Sequence, residues 1–134
     1  NQIQLQPRPT TVKAPKFDPL LADAFRAMLQ ERQATCMLVD RDNELLHLCG
    51  DPLQLLRLSN GKASQDVLRM LPGALRLPLN TALHRARHQT NTVRYRHCRI
   101  EESSYQVNSI SIEVSQQRSA QAGLILLVIL EAEL

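Results

Sequence analysis

The chain has 134 residues, 43% of them hydrophobic and 22% charged, which is enough for one domain with a single hydrophobic core. No apolar run reaches the ~18 residues that a membrane-spanning helix requires, and the longest covers only residues 124–130. The net charge is +3, but aromatic residues make up 3% and tryptophan is absent, so few side chains can stack on bases. Composition therefore argues against a membrane protein and against a nucleic-acid-binding protein. The arginines and histidines concentrated between residues 69 and 99 then predict a solvated surface.

The three cysteines, Cys36, Cys49 and Cys98, are an odd number at spacings that fit no zinc-binding motif. Each falls in a predicted strand, which is typical of free thiols in a reducing compartment. We therefore predict a cytoplasmic location. Because the chain begins at Asn1, we expect it to be a piece of a longer polypeptide.

Residues 1–17 carry three prolines among glutamine and threonine, a composition typical of an extended linker. Asp18 followed by Pro19 predicts the start of a helix, because aspartate caps a first turn and proline is tolerated in it. The helix predicted over residues 18–33 has a broad apolar face.

Two short apolar segments over residues 34–40 and 44–49 flank a polar turn and predict a β-hairpin. Asp40 and Asp42 are turn formers here, since their carboxylates hydrogen-bond nearby backbone N–H groups. Alternation along the second strand places His47 on the face opposite to its neighbouring leucines. We predict that its ring points to solvent, and a cavity-lining position is the alternative.

Helical segments follow the hairpin. Short helices are predicted over residues 52–58 and 65–71, the second capped by Ser64. A longer amphipathic helix is predicted over residues 75–89, in which Pro78 lies in the first turn or kinks the helix.

Three further strands are predicted over residues 92–100, 105–115 and 123–131, with a polar loop at 116–122. The middle strand alternates between apolar and polar residues, as a half-buried antiparallel strand does. Residues 124–130 are apolar without alternation, which predicts a central strand that is covered on both faces.

The order of two strands, a helical crossover and three strands is similar to that of a PAS sensory domain. Four short segments along it strengthen the likeness: VDRD (39–42), GKAS (61–64), VLRM (67–70) and ALHRA (82–86). They resemble the PAS modules carried by chemotaxis methylesterase/methyltransferase fusion proteins and their histidine-kinase relatives. The resemblance covers most of the chain, from about residue 34 to residue 131.

The resemblance implies an α+β protein with a PAS fold over residues 34–134 and an N-terminal cap helix over 18–33. The sheet is expected to be five-stranded and antiparallel, in the order 2-1-5-4-3. The implied function is that of a non-catalytic sensory and dimerisation module of a bacterial signal-transduction protein. Such a module regulates an attached chemotaxis methyltransferase or histidine kinase, and Asp40 is placed to contact the linker to that output domain.

No catalytic residue, metal site or cofactor is predicted. His84 and His88 have the i, i+4 spacing of zinc ligands, but Arg85 stands where a zinc protease has glutamate. The helical wheel also turns both rings to solvent, which argues against a heme ligand. Cys98 lacks the sequence motif of flavin-binding PAS domains.

An alternative function is a sensor that holds a small apolar ligand between the sheet and the helices. The candidate cavity residues are bulky aliphatic side chains, namely Met37, Val39, Leu55, Leu68, Leu79, Leu83, Ile110 and Ile112. They lack the convergent polar groups that ligand sites usually add, so we predict close packing instead. A small enzyme is the third alternative, which the missing catalytic residues disfavour.

The predicted N-terminal helix and strand 124–130 offer more apolar surface than one chain covers, which predicts a homodimer. The interface expected on the helix consists of Leu20, Leu21, Ala24, Phe25, Met28 and Leu29. The rival arrangement is a monomer in which each helix covers its own sheet.

Overall fold

A computed structural model describes residues 19–57 and 65–134. The helices are α1 (Pro19–Arg32), α2 (Val67–Met70) and α3 (Arg76–Arg87), and a 3-10 turn (Gly73–Leu75) leads into α3. The strands are β1 (Ala34–Val39), β2 (Leu45–Gly50), β3 (Val93–Arg99), β4 (Ser109–Ser119) and β5 (Gly123–Ala132). The linker predicted over residues 1–17, the helix start at Asp18 and the cap at Ser64 lie outside the described residues.

The strands form one antiparallel sheet in the order β2-β1-β5-β4-β3, which confirms the predicted α+β layout and strand order. β5 lies at the centre, as its uninterrupted apolar sequence predicts. Its residues Leu126, Val128 and Leu130 are fully buried on the inner face of the sheet, while Leu127 and Ile129 lie half-buried on the outer face.

The helical crossover covers the inner face of the sheet. α3 buries residues at helical spacing, Leu79, Ala82, Leu83 and Ala86, against the buried residues of β4 and β5. Pro78 lies in the first turn of α3, as predicted, where its missing N–H costs no helical hydrogen bond. No described helix is long and apolar enough to cross a membrane.

The helix predicted over residues 52–58 is wrong for its described part, since residues 51–57 contain only a turn. Asp51 does cap this turn, because its carboxylate accepts hydrogen bonds from the N–H groups of Leu55 and Leu56, each at 2.9 Å. Gln54 has φ of 56°, a left-handed conformation that cannot continue a helix. The second short helix is confirmed, but it is capped by Asp66, whose carboxylate accepts from Leu68 N–H.

The bounds of β4 differ from the prediction, since the strand begins at Ser109 and extends through Ser119. The segment 116–119, predicted as loop, pairs with β5 although it is polar, because backbone pairing does not require apolar side chains. The hairpin tip is only residues 120–122, where the Ser119 hydroxyl accepts from two backbone N–H groups and Gly123 has φ of 74°.

The first hairpin has the predicted turn. The Asp40 carboxylate accepts hydrogen bonds from Asp42 N–H at 2.7 Å and Glu44 N–H at 2.9 Å, and Asn43 takes the left-handed conformation. Arg87, at the end of α3, donates to the Asn43 side chain. This contact joins the hairpin turn to the crossover.

Candidate functional site

α1 lies on the outer face of the sheet and is anchored there by one buried residue. Leu29 is 4% exposed and packs with Ala34, Cys36 and the outer residues of β5. Gly50 makes this close approach sterically feasible, because a Cβ atom at that position would lie 2.9 Å from Leu29 Cδ1. α1 ends at Arg32, and Gln33 after it takes a left-handed conformation and accepts a hydrogen bond at its carbonyl from Ala132 N–H at 2.9 Å.

The rest of the apolar face of α1 is exposed. The exposed fractions are 76% for Leu20, 57% for Leu21, 39% for Phe25 and 43% for Met28, and Ala24 is exposed as well. Five of the six residues predicted at the interface are therefore accessible, while Leu29 is occupied by the chain's own sheet. Soluble domains seldom leave such a contiguous apolar surface uncovered unless it binds something.

A groove of about 460 Å³ separates α1 from the edge of the sheet. The helix contributes Leu21, Ala22, Phe25 and Arg26 to its lining, and the hairpin contributes Leu38, His47 and Cys49. The groove is mainly apolar, so it suits an aliphatic or aromatic side chain better than a charged one.

His47 was predicted to point to solvent, with a position lining a cavity as the alternative. Its side chain is exposed, as predicted, and it also borders the groove. It offers the groove a ring nitrogen for hydrogen bonding, beside otherwise apolar neighbours.

The outer face of the sheet has an apolar half and a polar half. Leu127 and Ile129 of β5 pair with Ser115 and Glu113 of β4, respectively, so the apolar half ends at the β5–β4 boundary. Beyond it, Arg94 of β3 forms an ion pair with Glu113 at 3.3 Å. α1 and the groove lie over the apolar half.

Two thiols form part of the floor beneath α1. Cys36 belongs to the buried cluster that contains Leu29, and Cys49 packs against this cluster. Burial, together with the adjacent Cys49, raises the pKa of the Cys36 thiol to about 12. Cys36 is therefore a neutral thiol at physiological pH.

Sequence analysis missed this pairing, although the hairpin prediction contains a signal for it. The two cysteines lie at similar distances from the turn, so that β1 and β2 bring them side by side. A β-bulge conceals the match, because the register passes from Cys36↔Gly50 to Met37↔Leu48 and leaves Cys49 as the extra residue. A second bulge, between the pairs Val39↔Leu45 and Leu38↔His47, puts Cys49 on the outer face, whereas simple alternation from Leu45 would direct it to the inner face.

The residues predicted to line a ligand cavity form the hydrophobic core. Seven of them have 0% of their surface accessible, which leaves no water-sized space against these side chains, and Leu68 packs at the margin of the same cluster. The seven are Met37, Val39, Leu55, Leu79, Leu83, Ile110 and Ile112.

His84 and His88 are exposed on α3, with ring centroids 4.9 Å apart. Within residues 19–57 and 65–134, no group of three or more histidine, cysteine or acidic side chains is arranged to hold a metal ion.

The basic stretch between residues 69 and 99 is largely engaged by the fold itself. Arg85 donates a hydrogen bond to the Tyr95 hydroxyl at 2.9 Å, and Arg76 donates to the Leu68 carbonyl at 3.0 Å. These contacts have structural roles, as do the bonds of Arg87 to Asn43 and of Arg94 to Glu113.

Comparisons of the sequence with protein-family models and with curated proteins give no match.

Proposed function

We propose that this domain is a PAS-type regulatory module without catalytic activity, which forms a homodimer through α1 and the outer face of the sheet. In this proposal it transmits its state to an output domain of the same polypeptide, a chemotaxis methyltransferase or a histidine kinase. The strand order and the crossover between β2 and β3 support the PAS assignment. The local likenesses at residues 39–42, 67–70 and 82–86 support the subgroup, and that at 61–64 lies outside the described residues.

The observation that carries the proposal is the exposed apolar face of α1 beside an apolar groove. Each copy offers a ridge, formed by residues such as Leu20 and Met28, and a groove bordered by Leu21 and Phe25. In a two-fold arrangement, the ridge of each copy covers the groove of the other copy. A single interface therefore buries the ridges and the grooves of both copies. We therefore propose that the partner of each chain is a second copy of the same chain.

The connections of α1 provide a route for a signal. The Gln33 carbonyl at the end of α1 accepts from Ala132 N–H at the end of β5, so the helix and the last strand meet at one point. Glu133 follows directly and accepts hydrogen bonds from the Ser109 hydroxyl at 2.8 Å and the His97 N–H at 3.0 Å. A shift of α1 can thus reach the end of the sheet.

The alternative of an apolar ligand within the core draws no support from the packing. Its seven central residues have no accessible surface, and a ligand would have to displace them. Native mass spectrometry of the purified domain measures bound mass and subunit number together, and we expect a dimer without a ligand.

Sedimentation velocity at tens of micromolar protein tests the dimer. We expect the wild-type chain to sediment as a dimer and Phe25→Glu to sediment as a monomer, because a carboxylate buried at the interface lacks a partner. Gln30→Glu is the matched control, since it adds the same charge on the exposed opposite side of α1. Circular dichroism establishes that both variants remain folded.

A wild-type chain that sediments as a monomer would contradict the proposed dimer. Equal dissociation by Phe25→Glu and Gln30→Glu would also contradict it, because the effect would then reflect charge on α1 rather than its apolar face.

A further inference from the structure

The cysteine pair beneath α1 belongs to the small cluster on the outer face and lies apart from the main core. Cys36 lies in the buried cluster with Leu29, Cys49 packs against the same cluster, and both thiols are free. The bulge in β2 sets two residues, Cys49 and Gly50, opposite Cys36, so the two cysteines are neighbours across the strand pair. Cys49 also lines the groove beside α1, on the face of the sheet where Cys36 packs, so the pair meets the directional requirement of a disulfide as well.

The two thiols differ in access. Cys36 is 2% exposed and lies under Leu29, whereas Cys49 borders the 460 Å³ groove. A small oxidant entering the groove therefore meets Cys49 first. Cys98 takes no part, because it lies on β3 and the thiol pair lies on β1 and β2 at the other side of the sheet.

We propose that Cys36 and Cys49 are a redox-active dithiol, which a hydroperoxide entering through the groove oxidises to a disulfide. This is a modification site whose co-reactant is hydrogen peroxide or a small organic hydroperoxide.

The chemistry proceeds in two balanced steps. The Cys49 thiolate attacks one peroxide oxygen, the O–O bond breaks, and the departing oxygen is protonated to water or an alcohol, which leaves a sulfenic acid on Cys49. The Cys36 sulfur then attacks the Cys49 sulfur, the S–O bond breaks, and the hydroxyl group leaves as water with the proton from Cys36. Two thiols are oxidised and one hydroperoxide is reduced.

Disulfide formation should alter how α1 packs on the sheet. The bond draws the sulfurs to about 2.05 Å, which pulls the bulged end of β2 toward β1. Leu29 contacts this end at Gly50 with no spare room, so it must move when the strand moves. The expected result is a more weakly held α1. That this loosening reduces dimerisation rests on the proposed function, whereas the disulfide itself does not.

Peptide mapping tests the disulfide directly. Reduced wild-type protein is treated with hydrogen peroxide, its remaining thiols are alkylated, and it is digested with trypsin. The cysteines fall in separate peptides, since cleavage follows Arg32, Arg41 and Arg57 and releases residues 33–41 and 42–57. We expect these two peptides to be linked, with the protein monomer lighter by two hydrogens.

Alanine variants test the order of the steps. Cys98→Ala should form the same linked peptides as the wild type. Cys36→Ala should accumulate a sulfenic acid on Cys49 that dimedone labels, whereas Cys49→Ala should leave Cys36 unlabelled. A bond that involves Cys98, a bond between chains, or linked peptides formed only in urea would overturn the proposal, as would labelling of Cys36 in Cys49→Ala.

Hydrogen exchange of α1 and sedimentation of oxidised protein test the consequence. We expect severalfold faster exchange of the α1 amides and a smaller dimer fraction after oxidation, both reversed by dithiothreitol. Unchanged α1 exchange in oxidised protein would overturn the coupling. Reduced wild-type protein that is monomeric would contradict the proposed dimer. The peptide map tests the disulfide independently of that result.

Discussion

The two faces of the sheet differ in how completely the helices cover them. The inner face is covered by α3 and the crossover, and its aliphatic residues have almost no accessible surface. The outer face is covered only over its apolar half, by one helix anchored through Leu29, and it contains two thiols and an open groove. Since stability follows buried apolar area, the inner face should set the stability of the domain while the outer face is free to bind and to change.

The largest expected effect is a cavity on the inner face. Leu83→Ala removes a fully buried side chain from α3 and should lower the free energy of unfolding by about 2–5 kcal/mol. Leu21→Ala, made in the monomeric Phe25→Glu background, should change it by less than about 0.5 kcal/mol, because Leu21 is exposed on α1 in the single chain. Urea unfolding measures both, and comparable losses would show that the outer face contributes to stability as much as the core.

A smaller effect is expected where α1 meets the sheet. Gly50→Ala should cost about 1–3 kcal/mol, because the new methyl group would overlap Leu29 at the anchor. Hydrogen exchange should then increase in α1 more than in α3. Gly73→Ala is the matched control, since nothing lies within 4 Å of its added Cβ, and it should have little effect. Uniform destabilisation of both helices would contradict a local role for Gly50.

The buried thiol should make the outer face sensitive to alkaline pH. The folded protein keeps the Cys36 proton up to a pKa of about 12, whereas an unfolded thiol loses it near pH 9. Between these values the unfolded state releases a proton that the folded state retains, so the stability that Cys36 contributes below pH 9 is lost as the pH rises. Cys36→Ala should show a shallower decline of unfolding free energy, by up to about 1.4 kcal/mol per pH unit. Parallel curves for both proteins would refute this assignment.

The smallest effect is expected on the polar half of the outer face. Arg94 and Glu113 form an ion pair whose side chains are 50% and 37% exposed, and such pairs contribute little. Arg94→Gln should lower the unfolding free energy by no more than about 0.5 kcal/mol and leave sedimentation unchanged. A dissociated dimer in this variant would mean that the interface extends beyond the apolar half.

The elements with strong residue patterns were predictable from the amino-acid sequence. The unbroken apolar run at 124–130 predicted a central strand, and the turn residues around Asp40 predicted the hairpin, because burial on two faces and carboxylate–backbone hydrogen bonds are local requirements. The apolar face of α1 was also predictable, because its apolar residues recur at helical spacing. The helix predicted after Asp51 failed because the left-handed conformation of Gln54 carries no signal in the residue type.

Which residues of the outer face are buried or exposed depends on contacts between elements. Leu29 and Leu21 are the same residue type on one helical face, yet one is buried and the other exposed, because Gly50 admits just one side chain at the point of contact. The bulge between the pairs Val39↔Leu45 and Leu38↔His47 likewise put Cys49 on the face of Cys36, against simple alternation from Leu45. The burial of Leu29 and the orientation of Cys49 both depend on how neighbouring elements pack and pair. The residue pattern along one element does not specify this packing and pairing.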